Sequence, residues 1–171
     1  MTAGGSEDRD ERGPGSKEEF ELKLPTLPPV IFGIPVIMGA LVHLFGIWRG
    51  AVIDGVIGLV IGIILMSVGL LTIAWTWRVM RAHGEHPEPH LATRTLVTSG
   101  PFKRTRNPIY SGFLLIGAGM AISLNAMAML VSVFFGVALL TALVIRREEA
   151  YLERKFGEAY IEYSKKAGRW L

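Results

Sequence analysis

Two short polar segments contain residue types that could bind a small polar ligand. In the first, Arg106-Asn107-Pro108-Ile109-Tyr110, a cation, an amide and an aromatic hydroxyl lie directly before an uncharged stretch. Gly100-Pro101 and Asn107-Pro108 disfavour a continued helix, because proline lacks an amide proton and restricts the residue before it. We therefore expect an ordered, non-helical approach whose free amides, with Arg106 and Asn107, hold a ligand at the mouth of a helix bundle.

The second segment is Arg146-Arg147-Glu148-Glu149, which directly follows the uncharged stretch 109–145. As one helix that stretch would extend about 56 Å, far more than a hydrocarbon layer of about 30 Å requires. Two shorter helices with a turn at Ser123-Leu124-Asn125 fit better. Such a hairpin returns the chain to its starting side, so Arg106 and Glu148 can face each other.

The composition indicates a membrane protein of one domain. Half of the residues are hydrophobic, only 19% are charged, and the charges avoid long stretches. The chain has no cysteine, which excludes disulfides, thiolate metal sites and a cysteine nucleophile. The net charge of +3 comes from basic residues beside the apolar segments, which indicates a membrane surface and no nucleic acid.

The charge pattern predicts an all-α, polytopic membrane bundle of four transmembrane helices followed by an amphipathic cytoplasmic helix. The predicted parts are a disordered cytoplasmic tail 1–29, then a domain 30–171 with helices at 30–48, 52–80, 109–123 and 125–149, a loop at 81–108 and the amphipathic segment 150–171. Four crossings place all but Arg49 of the 18 Lys and Arg on one side. The positive-inside rule makes that side the cytoplasm, so both termini and both polar segments lie there.

The polar segments together resemble a known family, the isoprenylcysteine carboxyl methyltransferase and phospholipid methyltransferase group of membrane enzymes. The signature of that family is R-H-P-x-Y followed, after a helix hairpin, by E-E. Here it stands as Arg106 to Tyr110 and Glu148-Glu149, preceded by Leu96 to Phe102 and followed by Phe156-Gly157-Glu158-Ala159-Tyr160. The resemblance covers roughly residues 80–163. Asn107 departs from it, because an amide replaces the usual histidine and cannot titrate.

The resemblance implies S-adenosylmethionine as the methyl donor and a lipophilic acceptor, of prenyl, fatty-acyl or phospholipid type, reached laterally from a bacterial inner membrane. It implies that Arg106 or the loop amides take the carboxylate of the donor and that Glu148 takes its ammonium. The donor-binding residues so implied are Leu96, Val97, Gly100, Pro101, Phe102, Arg106, Asn107, Pro108, Tyr110 and Glu148. The catalytic candidates are Arg106, Arg147, Glu148 and Glu149.

Neighbouring residues on a helix point about 100° apart, so we expect only one of Glu148 and Glu149 to face the ligand. Arg147 could orient a carboxylate acceptor, and Glu149 could remove a proton from the acceptor or simply be solvated. Two other functions stay open. Related membrane folds include nicotinamide-dependent sterol reductases, and Asn107 keeps open a non-catalytic lipid-binding protein.

The histidines are weaker candidates. His83, His86 and His90 lie close together, but the prolines between them prevent a regular helical ligand face, and we expect a loop over the pocket in place of a metal site. His43 falls inside the first helix, where a polar side chain is costly. It could contact a lipid-like acceptor or bond to a neighbouring helix. The oligomeric state is not indicated.

Overall fold

The computed structural model describes residues 28–48, 50–53, 55–85 and 94–170, and this part of the chain is helical without a β-strand. The α-helices are α1 (Pro28–Leu44), α2 (Gly55–Ala82), α3 (Pro108–Ser123), α4 (Met127–Leu140), α5 (Arg146–Phe156) and α6 (Glu158–Lys166). A 3₁₀ turn, Gly100–Lys103, precedes α3, and a π-helical turn, Thr141–Ile145, joins α4 to α5. The all-helical fold class is confirmed. The predicted disordered tail lies outside the described residues, apart from Pro28 and Pro29, which begin α1.

The turns at one end of the bundle are tied to each other. Helix α1 ends at Leu44, earlier than predicted, and Gly46 follows with a left-handed φ of 67°. Asn125 turns the chain between α3 and α4 with φ 51°, and its side-chain oxygen accepts a 2.6 Å hydrogen bond from the amide of Val52. The amide of Met127 donates to the carbonyl of Gly50 at 3.1 Å. The loops after α1 and α3 therefore share one end, and the polar segments share the other.

The helices pack in pairs, α2 against α3 and α1 against α4, with α3 and α4 in contact between them. The buried residues of α2 are all small: Gly58, Gly62, Gly69 and Thr76. A Cβ built on Gly119 of α3 would lie 2.6 Å from the carbonyl oxygen of Gly62, so the two backbones nearly touch. Gly58 and Gly62 thus form a small-residue face that lets α2 pack closely on α3.

The interior lies mainly between α1, α3 and α4. Phe32 stacks on Phe113 with ring centroids 6.1 Å apart, and Gly117 and Gly136 leave room for its ring. The outer faces of α1 and α2 are apolar and exposed, which is how helices face lipid. Within the described residues, α2 and the continuous helix Met127–Phe156 are long and apolar enough to cross a membrane, whereas α1 and α3 are shorter apolar helices.

Candidate functional site

The two polar segments meet in the structure. The hydroxyl of Tyr110, in the first turn of α3, donates a 2.7 Å hydrogen bond to the carboxylate of Glu148, 38 residues further on. The guanidinium of Arg106 lies 3.3 Å from the carboxylate of Glu149. The predicted meeting of the two segments is confirmed, although the contact of Arg106 is with Glu149 and that of Glu148 is with Tyr110. The two segments are far apart in the sequence, and the fold of the helix hairpin brings their side chains together.

Both adjacent glutamates face this cluster, and which of them faces a ligand stays a prediction. The two carboxylates can both face the cluster because their partners lie on different parts of the chain. Glu148 points to Tyr110 on α3, whereas Glu149 points to Arg106 in the approach to α3. The π-helical turn Thr141–Ile145 lies immediately before them, and such widened turns re-aim the helix that follows.

Glu149 is the more fully engaged of the two carboxylates. The guanidinium of Arg169 donates hydrogen bonds to both of its oxygens, from Nε at 3.0 Å and from a terminal nitrogen at 2.7 Å. The side chain of Glu149 is only 13% exposed, so the interpretation of Glu149 as a solvated charge is wrong. Bidentate pairs of this kind fix geometry as well as charge. Arg106 and Arg169 thus share one carboxylate.

Arg169 contacts the cluster because residues 167–170, here called the C-terminal segment, pack against residues 104–107. The amide of Arg106 donates to the carbonyl of Gly168 at 2.7 Å, and the amide of Gly168 donates to the carbonyl of Arg104 at 3.1 Å. Thr105 pairs with Gly168 as an isolated parallel bridge. The single amphipathic helix predicted over 150–171 is therefore corrected: Gly157, with φ 53°, separates α5 from α6, and an extended segment follows.

Asn107 holds the C-terminal segment in place. It is 8% exposed, and its side-chain amide donates to the carbonyl of Arg169 at 3.0 Å. The hydroxyl of Thr105 donates to the same carbonyl at 3.1 Å and accepts the backbone amide of Asn107. The contact made at the position of the family's histidine is thus a backbone clasp. An amide suffices for it, because only a donor is needed.

Asn107→Leu is expected to lower the unfolding temperature by several degrees, because the substitution removes a hydrogen bond of about 1 kcal/mol and places an apolar branch beside a partly buried carbonyl. Asn107→His should retain most of the stability, since a ring N–H can donate to the same carbonyl. Thermal unfolding of the purified protein in detergent measures both. An Asn107→Leu variant as stable as the wild type would show that the clasp contributes nothing.

The remaining predicted donor-binding residues lie at two places, the start of α3 and the segment 96–102 that precedes it. Pro108 is fully buried at the start of α3 beside the carboxylate cluster. Gly100, with φ 60°, lies instead against Val79 and Trp75 of α2, and Pro101 is buried with it. Val97 is buried, whereas Leu96 and Phe102 are half-buried. Arg147 is exposed and makes no contact with the cluster in the described part of the chain, so its acceptor role stays a prediction.

Glu85 is a buried carboxylate whose structural role the sequence pattern did not indicate. It is 5% exposed, and one carboxylate oxygen accepts from the amides of Arg94 and Thr95 and from the Thr95 hydroxyl, at 2.7 Å for the hydroxyl. This carboxylate anchors the chain just before Leu96 and Val97. Nothing in the sequence around Glu85 indicates that its carboxylate accepts hydrogen bonds from backbone amides nine and ten residues away.

Of the three clustered histidines, only His83 lies within the described residues. His83 contacts the carbonyl of Val79 through Nδ1 at 2.8 Å, and His86 and His90 lie outside the described residues. The described ranges contain no group of three potential metal ligands. His43 lies in the last turn of α1, and its buried Nδ1 has no hydrogen-bond partner there, so the expected bond to a neighbouring helix is not made by this atom.

The fold and the site define a helical protein with apolar outer faces and a polar cluster at one end of the bundle. Residues 57–159 match the family model described as phospholipid methyltransferase, which is more than half of the chain. The chain belongs to this family. The matched stretch contains both polar segments and ends before Tyr160 and the C-terminal segment.

A curated relative adds a more distant comparison. The chain is 28% identical, over 139 residues, to the cobalt-zinc-cadmium resistance protein CzcN of Cupriavidus metallidurans. The aligned region is 72% of this chain and 61% of that protein. The chain therefore spans about three fifths of the length of this relative.

Proposed function

We propose that the protein transfers a methyl group from S-adenosylmethionine to a lipophilic acceptor of prenyl, fatty-acyl or phospholipid type. Membership of the phospholipid methyltransferase family supports the reaction class. The observation that carries the proposal is the meeting of Tyr110 with Glu148 and of Arg106 with Glu149 at one end of the bundle. Acidic and basic groups beside each other suit a donor that carries both charges.

The residues present fit this donor. Glu148 accepts one hydrogen bond, from a neutral hydroxyl, and in the described part of the chain no Lys or Arg pairs with it. A partly buried carboxylate without a cation is stabilised by an ammonium group. Val97 and Pro101 are buried apolar groups on the same approach, where an adenine ring would be held. The aromatic ring of Tyr110 would tolerate a sulfonium.

The bound donor supplies an electrophilic methyl group: its sulfur–carbon bond breaks as the acceptor–carbon bond forms, and a neutral acceptor releases a proton. The chain itself has the simpler task of alignment and exclusion of water, since in-line displacement needs little covalent help. Arg106 and Glu148 would orient the donor. Glu149, occupied by two guanidiniums, is a poor proton acceptor, so we assign it to positioning.

In the membrane we propose four crossings, α1, α2, α3 and α4 with its continuation, and a bacterial inner membrane with both termini in the cytoplasm. The support is that the loops after α1 and α3 bond to each other at one end while the polar cluster occupies the other. A lipophilic acceptor would then reach the cytoplasmic cluster sideways from the bilayer. This proposal also implies contact with membrane lipids.

The experiment is to incubate the purified protein with methyl-labelled S-adenosylmethionine and a membrane lipid extract, then measure binding and label in the lipid fraction. We expect both, and their loss in Arg106→Ala and Glu148→Ala. Binding without transfer would support a lipid-binding protein of the same fold. Binding of a nicotinamide cofactor in place of S-adenosylmethionine would support a reductase and contradict the proposal.

A further inference from the structure

An open groove runs along α2 on a face separate from its contact with α3. Within the described residues it is lined by Val68, Leu71, Thr72, Ala74, Trp75 and Arg78. None of these is among the buried residues of α2. The volume of the groove is about 360 Å³, which falls in the range of small-molecule sites. The groove therefore lies on the outer surface of the bundle and is large enough to hold part of a ligand.

The lining of the groove changes from apolar to charged along the helix. Helix α2 is uncharged from Gly55 to Trp77, and Arg78 is its first charged residue. At 1.5 Å per residue the uncharged part extends about 35 Å, close to a hydrocarbon layer of about 30 Å. In the proposed membrane placement Arg78 therefore lies where hydrocarbon meets the lipid headgroups, and Val68 lies about 15 Å deeper.

The side chain of Arg78 is a cation without an anionic partner in the described part of the chain. It is exposed, and no described residue forms an ion pair or a hydrogen bond with it. Arg81 is engaged, because its guanidinium lies 5.9 Å from the centroid of the Trp77 ring. The sequence of α2 contains no Asp or Glu that could balance these charges. A guanidinium in this position is complementary to a phosphate, which it can bind through two parallel hydrogen bonds.

Trp75 forms the amphipathic part of the groove, one turn before the cation. Its side chain is 54% exposed. A Cβ built on Gly100 would lie 3.5 Å from the indole Nε1 and 2.8 Å from Val79, so the 3₁₀ turn before α3 packs beside this part of α2. Tryptophan favours the depth between hydrocarbon and headgroups, because its ring is apolar and its N–H can donate a hydrogen bond.

The deeper part of the groove suits an acyl chain. Leu71 and Val68 are apolar and exposed. The hydroxyl of Thr72 donates to the carbonyl of Val68 at 2.8 Å, so it requires no polar partner from an occupant. The groove thus offers a cation, an amphipathic ring and an apolar surface in the order in which a phospholipid carries its phosphate, glycerol and acyl chain.

We propose that this groove binds one anionic phospholipid of the cytoplasmic leaflet as an accessory lipid, with its phosphate on Arg78, its glycerol beside Trp75 and an acyl chain along Leu71 and Val68. Charge selects the headgroup, since the choline of a zwitterionic lipid would add a cation beside Arg78 and Arg81. The groove shares no residue with the polar cluster, so this lipid is bound and not methylated. The inference rests on the proposed membrane placement of α2 and is independent of methyl transfer.

Phospholipids with brominated acyl chains test the groove, because bromine quenches tryptophan fluorescence on contact. The protein is placed in phosphatidylcholine nanodiscs, and brominated phosphatidylglycerol or brominated phosphatidylcholine is added in increasing amounts. We expect phosphatidylglycerol to quench at about fivefold lower mole fraction, the effect of one cation on an anionic lipid. Arg78→Gln should abolish this preference, and Trp75→Phe should remove most of the quenching specific to phosphatidylglycerol.

Arg81→Gln is the matched control, since it removes the same charge from the same helix outside the groove. That variant should keep the preference for phosphatidylglycerol. Equal losses in Arg78→Gln and Arg81→Gln would show a general attraction of anionic lipid to this end of α2 and overturn the inference. Equal quenching of the wild type by the two lipids, or unchanged quenching in Trp75→Phe, would also contradict it.

Two further measurements separate the remaining explanations. Addition of inorganic phosphate should leave the quenching by phosphatidylglycerol unchanged; its loss would show that free phosphate occupies the site in place of a lipid. Methyl label recovered in phosphatidylglycerol would make that lipid an acceptor and contradict the accessory role. A wild-type protein that does not enter nanodiscs would contradict the membrane placement and the inference with it, whereas a protein that binds phosphatidylglycerol without any methyl transfer would contradict the proposed function alone.

Discussion

Glu148→Gln is expected to weaken the binding of S-adenosylhomocysteine by about two orders of magnitude, the effect of breaking a partly desolvated charge pair. The amide has the shape of the carboxylate and can still accept the hydrogen bond of Tyr110. What it loses is the charge that an ammonium requires. Because the hydrogen bond inside the protein survives, the folded state should not suffer. Calorimetry on the purified protein in detergent measures the change.

Glu153→Gln is the control for this prediction, because Glu153 lies on the same helix, α5, and is exposed. It makes the same chemical change outside the cluster and should bind the ligand as the wild type does. If Glu148→Gln and Glu153→Gln bind equally well, Glu148 has no part in holding the donor. If both are weaker to the same degree, the charge of α5 as a whole is responsible.

Gly119→Ala is expected to destabilise the bundle by about 3 kcal/mol, at the upper end of the cost of overpacking. A Cβ at this position would lie 2.6 Å from the carbonyl oxygen of Gly62 and 2.9 Å from the amide nitrogen of Met66. Both are backbone atoms, so no rotamer change relieves the clash. Only separation of α2 from α3 can do so, and the loss of these contacts lowers the unfolding temperature.

Gly33→Ala is the matched control, since it makes the same substitution in α1 where a Cβ would meet nothing within 4 Å. That variant should be as stable as the wild type or slightly more so, because alanine favours helix. Thermal unfolding in detergent compares the two. A Gly119→Ala protein as stable as Gly33→Ala would contradict the close packing of α2 on α3.

The hairpin was predictable from the sequence because bilayer thickness limits helix length. The uncharged stretch 109–145 had to be divided, and Asn125 supplied a residue that tolerates a left-handed turn. Once α3 and α4 run in opposite directions, the residues flanking them must lie on one side. The meeting of Arg106 with the glutamates follows from that geometry alone.

The C-terminal contribution could not be predicted in the same way. Residues 167–170 contact the signature mainly through backbone groups, which have no periodicity in the sequence. The partner of Glu149 lies 20 residues away in Arg169, among several other cations of the same region. Gly157 gave the one usable signal, because a glycine at φ 53° ends a helix and redirects the chain.

The measurement that tests the central claim most directly is a structure of the protein in complex with S-adenosylhomocysteine. The account predicts the ammonium of the ligand beside Glu148 and its carboxylate beside Arg106, with Arg169 still on Glu149. A ligand bound at the other end of the bundle, or one whose amino-acid end contacts neither Glu148 nor Arg106, would contradict it.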